Sequence, residues 1–115
     1  MDLGITRIET LGNLEYVGGA LSLEDCSNLK SLGKLNHVDR WLDLYGCENL
    51  QSLGNLEYVG GGLGLAKTNV ETLGNLEYVG GYLDLQNTPL SEKYAEDDIR
   101  KMVKVVGVIV ISYED

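Results

Sequence analysis

Three stretches of the chain carry residue types with chemical potential. Residues 61–68 read GGLGLAKT and depart from the phosphate-cradling pattern G-x-x-x-x-G-K-[ST] only at Ala66, where the second glycine would stand. Such a loop aims backbone amides at phosphate oxygens from the start of a helix. No helical pattern follows Thr68, and Leu63 and Leu65 keep the phase of a strand, so these glycines serve the backbone path and not a nucleotide. Cys26 and Cys47 stand 21 residues apart, and a disulfide or a metal pair is the chemistry at issue. Together with a single histidine, His37, they supply too few ligands for a zinc site, and two inward-facing thiols in a reducing compartment are expected to be inert. His37 has no serine or cysteine nucleophile in register with it, and no acid pair or triad is identifiable, so no enzymatic activity and no cofactor are expected.

These residues are placed by a repeat. LGNLEYVGG occurs verbatim at 11–19, 53–61 and 73–81, and LGKLNHVDR fills 32–40. Extended in both directions, the copies become units spanning 11–31, 32–52, 53–72 and 73–92, preceded by a half repeat over 1–10 and followed by a cap over 93–115. Residues 1–115 therefore read as one repeat domain, since a unit of this size cannot bury its leucines except against its neighbours. MDLGITRIET aligns without a gap onto LGLAKTNVET, which puts Met1 and Leu3 in strand register. Near the other end Ile99, Met102, Val105, Ile109 and Ile111 reproduce the spacing of Leu73, Leu76, Val79, Leu83 and Leu85. The intervening polar stretch has helical periodicity, with acids early and bases late, and predicts a capping helix over roughly 92–104.

Within each unit the pairs Leu21/Leu23, Leu42/Leu44, Leu63/Leu65 and Leu83/Leu85 have the period of two that sends alternate side chains to one face of a strand. Leu-x-x-Leu-x-x-Val, with its period of three, predicts an irregular or helical-turn return on a convex side. Glycines before each strand mark a change of direction. After each strand comes Cys26, Cys47, Thr68 or Thr88, able to donate to a backbone carbonyl at the bend. The resulting L-x-L-x-x-(C/T) pattern resembles the leucine-rich repeat family, in its short bacterial and phage-like form, over essentially the whole chain. It departs from that family in having Cys or Thr for Asn and a longer Val-to-Leu interval. The resemblance implies an α/β-type solenoid with about six short parallel strands in one sheet, in chain order, closed by the capping helix and a final strand.

Outward strand positions would then form rows across a concave face. Glu24, Trp41, Asp43, Tyr45, Tyr82, Asp84, Gln86, Val108 and Val110 are the candidate binding residues, because these rows vary while the core does not, and large amphipathic rings there act as anchors. Asp39-Arg40-Trp41 replaces the Gly-Gly segment in the second unit alone. The column Tyr16, His37, Tyr58, Tyr78 beside Glu15, Glu57 and Glu77 follows from duplication, and His37 is expected at the surface. A formal charge of -9, from 18 acids against 9 bases, disfavours direct binding to nucleic acid or anionic lipid and favours partners with basic surfaces. No membrane span or secretory signal is visible, which points to the cytoplasm of a bacterial or phage-infected cell. The expected function is non-catalytic protein binding, as an adaptor or inhibitor. The alternative is an acidic nucleic-acid mimic that blocks a nucleic-acid enzyme, of the anti-restriction or anti-CRISPR type. Val108 and Val110 on the last strand also predict a contact with a partner or a second copy, a possible homodimer.

Overall fold

The computed structural model describes residues 7–111 and is a β-solenoid of short parallel strands. Each repeat supplies two strands of two residues: β1 (Tyr16–Val17) and β2 (Leu21–Ser22), β3 (His37–Val38) and β4 (Leu42–Asp43), β5 (Tyr58–Val59) and β6 (Leu63–Gly64), β7 (Tyr78–Val79) and β8 (Leu83–Asp84). Helices α1 (Pro89–Lys93) and α2 (Glu96–Met102) follow, then β9 (Lys104–Val105) and β10 (Ile109–Val110). The first sheet has the order β1-β3-β5-β7-β9 and the second β2-β4-β6-β8-β10. Equivalent residues pair throughout, Leu21 with Leu42, Leu42 with Leu63, Leu63 with Leu83 and Leu83 with Ile109.

The Leu-x-Leu strands and their chain-order stacking stand where the repeat puts them. The return segment differs from its expectation. Instead of a helical turn it holds the first sheet, because Tyr16–Val17 and its equivalents bond to the next unit as the Leu-x-Leu strands do. Parallel bridges Thr10 to Ser31 and Ser52 to Thr72 form a third side. Two sheets of five strands among the described residues thus replace one sheet of about six, and the strand expected at Met1–Leu3 lies outside those residues. The single capping helix is also divided. Thr88 caps α1, its Oγ1 accepting from Ser91 N, and the Asp98 carboxylate accepts from Ala95 N at 3.1 Å to start α2. Lys104 and Val105 leave the helix to pair with Tyr78 and Val79, so strand pairing overrides helical periodicity there. Met102, aligned by spacing with the buried Leu76, is exposed at the end of α2, while Ile99 is buried.

Three corners let every coil retrace the last. At the first, Thr10, Ser31, Ser52 and Thr72 each accept a hydrogen bond from the glycine amide two residues on, and Gly12, Gly33, Gly54 and Gly74 adopt φ near +60°, where a side chain is strained. At the second, between the two sheets, successive backbones approach so closely that a Cβ on Gly60 would stand 2.1 Å from Asp39 O, and one on Gly80 equally close to Gly60 O. At the third, Thr68 and Thr88 donate to Leu65 O and Leu85 O at 2.8 and 2.7 Å, as their position after the strand anticipates. Cys47 donates instead to Leu23 O of the preceding coil at 3.0 Å.

Inside these corners lies one core of stacked columns, including Leu21/Leu42/Leu63/Leu83/Ile109 and Val17/Val38/Val59/Val79/Val105. Leu90 and Ile99 from the two helices join it at the C-terminal end. Gly80→Ala is therefore expected to cost about 1–3 kcal/mol, the usual cost of forcing extra volume into closely packed backbone, while Gly19→Ala, where no atom lies within 4 Å of the added carbon, should be nearly neutral. Chemical denaturation of both variants measures this, and equal midpoints would contradict the close-approach account.

Candidate functional site

Strand pairing gathers the expected binding residues on the outer face of the second sheet. One row, a residue ahead of the core leucines, runs Ala20, Trp41, Gly62, Tyr82, Val108, with Leu21 N donating to Trp41 O, Leu42 N to Gly62 O, Leu63 N to Tyr82 O and Leu83 N to Val108 O. Trp41, Tyr82 and Val108 are 43%, 46% and 66% exposed, large apolar groups left in water along one line. The next row is Ser22, Asp43, Gly64, Asp84, Val110. Glu24 and Gln86 stand beyond it in the turns that follow β2 and β8, with Tyr45 in the turn after β4.

The third coil explains how this face is organised. Gly62, Gly64 and Ala66 are buried although their positions point outward. A Cβ on Gly62 would overlap the Tyr82 ring, 2.0 Å from its Cε2, and one on Gly64 would lie 3.1 Å from Asp43 Oδ1. Tyr82 and Asp43 therefore lean from the two flanking coils over a floor of small residues. Burial, then the carboxylates of Asp43 and Asp84, raise the Tyr82 pKa above its ordinary value. Both carboxylates are held by turn bonds: Asp43 Oδ1 accepts from Tyr45 N at 3.0 Å, and Asp84 Oδ1 accepts from Gln86 N at 3.1 Å and from its side-chain amide at 3.0 Å. Lys67 Nζ lies 5.5 Å from the Tyr45 ring centroid. Lys67 itself sits in a turn with positive φ, and the strand reading of GGLGLAKT holds, with Leu63 and Leu65 fully buried in the core.

The first sheet carries a feature that the repeat register implies but sequence reasoning left undrawn. Tyr16, His37, Tyr58 and Tyr78 stack in one column, with centroids 5.0, 4.3 and 5.0 Å apart. His37 is thus half-covered by two tyrosine rings. Its Nε2 lies 2.7 Å from Asp39 Oδ1, while Tyr16 donates its hydroxyl to Asp39 Oδ2. The bond from Tyr16, then that from His37, holds the Asp39 carboxyl below the usual range, and the same contact raises Tyr16. Asp39 and His37 depart from the glycine and tyrosine of the other units together, as a bonded pair. Regular placement of tyrosine at one repeat position, with pairing between coils, was the signal from which the stack could have been found.

Cys26 and Cys47 are buried and not joined in a disulfide, and burial pushes the Cys47 thiol up to about 12. Among the described residues no group of three or more His, Cys, Asp or Glu side chains is arranged to hold a metal, and no helix is long and apolar enough to cross a membrane. No protein-family model, curated protein or solved structure matches the chain.

Tyr82 provides a titration test of this geometry. With its folded pKa raised, the stability it contributes is fully present below the ordinary tyrosine pKa and is lost as pH rises through the higher folded value. Asp43→Asn and Asp84→Asn should each lower the pH at which Tyr82 ionises, read from phenolate absorbance as the difference from Tyr82→Phe. An unchanged midpoint in both variants would separate Tyr82 from the carboxylates. Cys47 should resist alkylation at mildly alkaline pH until the protein is unfolded, and modification at the rate of a free thiol would contradict its burial.

Proposed function

We propose that this protein is a non-catalytic protein-binding module, an adaptor or inhibitor of the leucine-rich-repeat type, that engages its partner through the outer face of the second sheet. The observation that carries the reading is the exposed line Trp41, Tyr82, Val108 beside Asp43 and Asp84. Solvent-exposed aromatics cost free energy in water and regain it on burial, and a mixed apolar and acidic face suits a partner that brings apolar and basic side chains. The family assignment is supported by the L-x-L-x-x-(C/T) register, whose Leu-x-Leu segments are parallel strands in chain order. A cytoplasmic setting accords with two buried cysteines that are not joined in a disulfide.

The alternative, an acidic mimic of nucleic acid, requires carboxylates to dominate the contact. Asp43 and Asp84 instead alternate with Gly64 and Val110 in their row, and both are engaged in turn bonds, which favours the first reading.

The test is capture from the source cell on immobilised protein, followed by affinity measurement with the purified partner. Trp41→Ala and Tyr82→Ala should each weaken binding at least about 30-fold with the fold intact, since anchor aromatics contribute about 2 kcal/mol or more. Most of the affinity should persist in high salt. Unchanged affinity in both variants would move the interface off this sheet, and a steep salt dependence abolished by combined neutralisation of Asp43 and Asp84 would favour the mimic.

A further inference from the structure

The two sheets end differently at the C-terminal end of the stack. In the first sheet each coil offers carbonyls to the amides of the next: Val17 O accepts from Asp39 N, Val38 O from Gly60 N, Val59 O from Gly80 N and Val79 O from Val106 N. Val105 is the last valine of that column. Its carbonyl receives Arg100 Nη1 at 2.9 Å, and Gly107 O receives Arg100 Nη2 at the same distance, so one guanidinium fork stands where the amides of a neighbouring coil stand elsewhere in the sheet. Glu96 holds the arginine in place through Nε at 3.1 Å. Those two carbonyls are thereby capped.

In the second sheet the donors point forward. Leu21, Leu42, Leu63 and Leu83 each give their N–H to the next coil, and so do Leu23, Leu44, Leu65 and Leu85. Ile109 pairs with Leu83 and occupies the same position in its coil, and Ile111 stands two residues on, as Leu85 does from Leu83. Their amides therefore face outward from the end of the stack, and among the described residues no group accepts from them. Beside this edge Val106 and Val108 are 60% and 66% exposed.

We propose that β10 is a docking edge at which an extended segment of another protein adds to the second sheet as a further parallel strand. This rests on the protein-binding reading above. The segment's carbonyls accept from Ile109 and Ile111, as those of Gly62 and Gly64 accept from Leu42 and Leu44 within the fold. Apolar side chains lie beside Val108 and Val110, and a neutral or basic segment suits the neighbouring Asp84 and the net charge of -9. That charge opposes a second copy as occupant, and a twofold pairing of β10 with itself would set an antiparallel strand against a sheet that is parallel throughout.

The probe is a synthetic peptide with the sequence of residues 60–69, GGGLGLAKTN, a strand that already pairs within this sheet and carries one positive charge. In the free protein the Ile109 and Ile111 amides should exchange with solvent much faster than those of Leu83 and Leu85. Peptide at saturation should slow both by at least about tenfold, whereas a peptide N-methylated at the position of Gly64 should not. Three results would overturn the proposal: Ile109 and Ile111 amides as protected as those of Leu83 and Leu85 in dilute free protein, which means the chain covers its own edge; protection that grows with protein concentration, which means a second copy does; or no slowing by the peptide. If β10 proves inert while Trp41→Ala still weakens the captured partner, only this inference fails; if Trp41 and Tyr82 also prove dispensable, the binding face itself is misplaced.

Discussion

Hydrogen bonds that run along the stack, from each coil to the next, are the constraint on which everything else depends. A parallel ladder between neighbours requires every coil to follow the same path within a few tenths of an ångström, at two sheets and at the bridges of a third side. That requirement, more than the leucines, explains the glycines. Gly60 and Gly80 stand where backbone meets backbone, and Gly33 combines φ of +61° with a Cβ position only 2.3 Å from Gly12 O. Variation in length is accepted only where no ladder runs. The first two units have an additional residue after their cysteines, taken up in a turn at Ser27–Asn28 and Glu48–Asn49, whereas Thr68 reaches Val70 directly, its Oγ1 accepting from Val70 N.

With the path fixed, chemistry is confined to side chains that leave the core, and substitutions there come in compensating sets. Gly62 seats Tyr82, and Gly64 gives room to Asp43. In the second unit His37 replaces tyrosine in the stacked column, and Asp39 replaces the glycine over which a tyrosine would lie, binding both His37 and Tyr16. The Asp39-Arg40-Trp41 segment is thus two features sharing one corner. Asp39 belongs to the first sheet and its aromatic stack, and Trp41 to the exposed row on the second.

The repeat made the core legible, because columns of leucine and valine at fixed spacing can be buried in only one arrangement. It left the return segment ambiguous for a local reason. Leu-x-x-Leu-x-x-Val has the period of a tight turn, but its strand is two residues long, too short for an alternation to register, and its identity as a strand arises only from the neighbouring coil. The division of the capping helix has a similar origin: Asp98 starts α2 through a contact three residues away, whereas the pairing of Lys104–Val105 with β7 is non-local. Of the candidate face, the row containing Trp41 and Tyr82 was legible from register alone. The burial of Gly62, Gly64 and Ala66 was not, because it depends on where the rings and carboxylates of adjacent coils lean.

A solenoid is indifferent to its own length, so its ends must be specified by something outside the repeat. Here α2 meets two carbonyls of the first sheet through Arg100. A guanidinium carries several donors in a rigid plane, so it can satisfy two carbonyls of neighbouring backbone groups at once, as Val105 O and Gly107 O require. It cannot satisfy an amide. The outward groups of Ile109 and Ile111 need acceptors, and the basic side chains near the end of α2, Arg100 and Lys101, carry donors only. Arg100 therefore caps two carbonyls of the first sheet, while the outward amides of Ile109 and Ile111 on the second receive no acceptor from this helix.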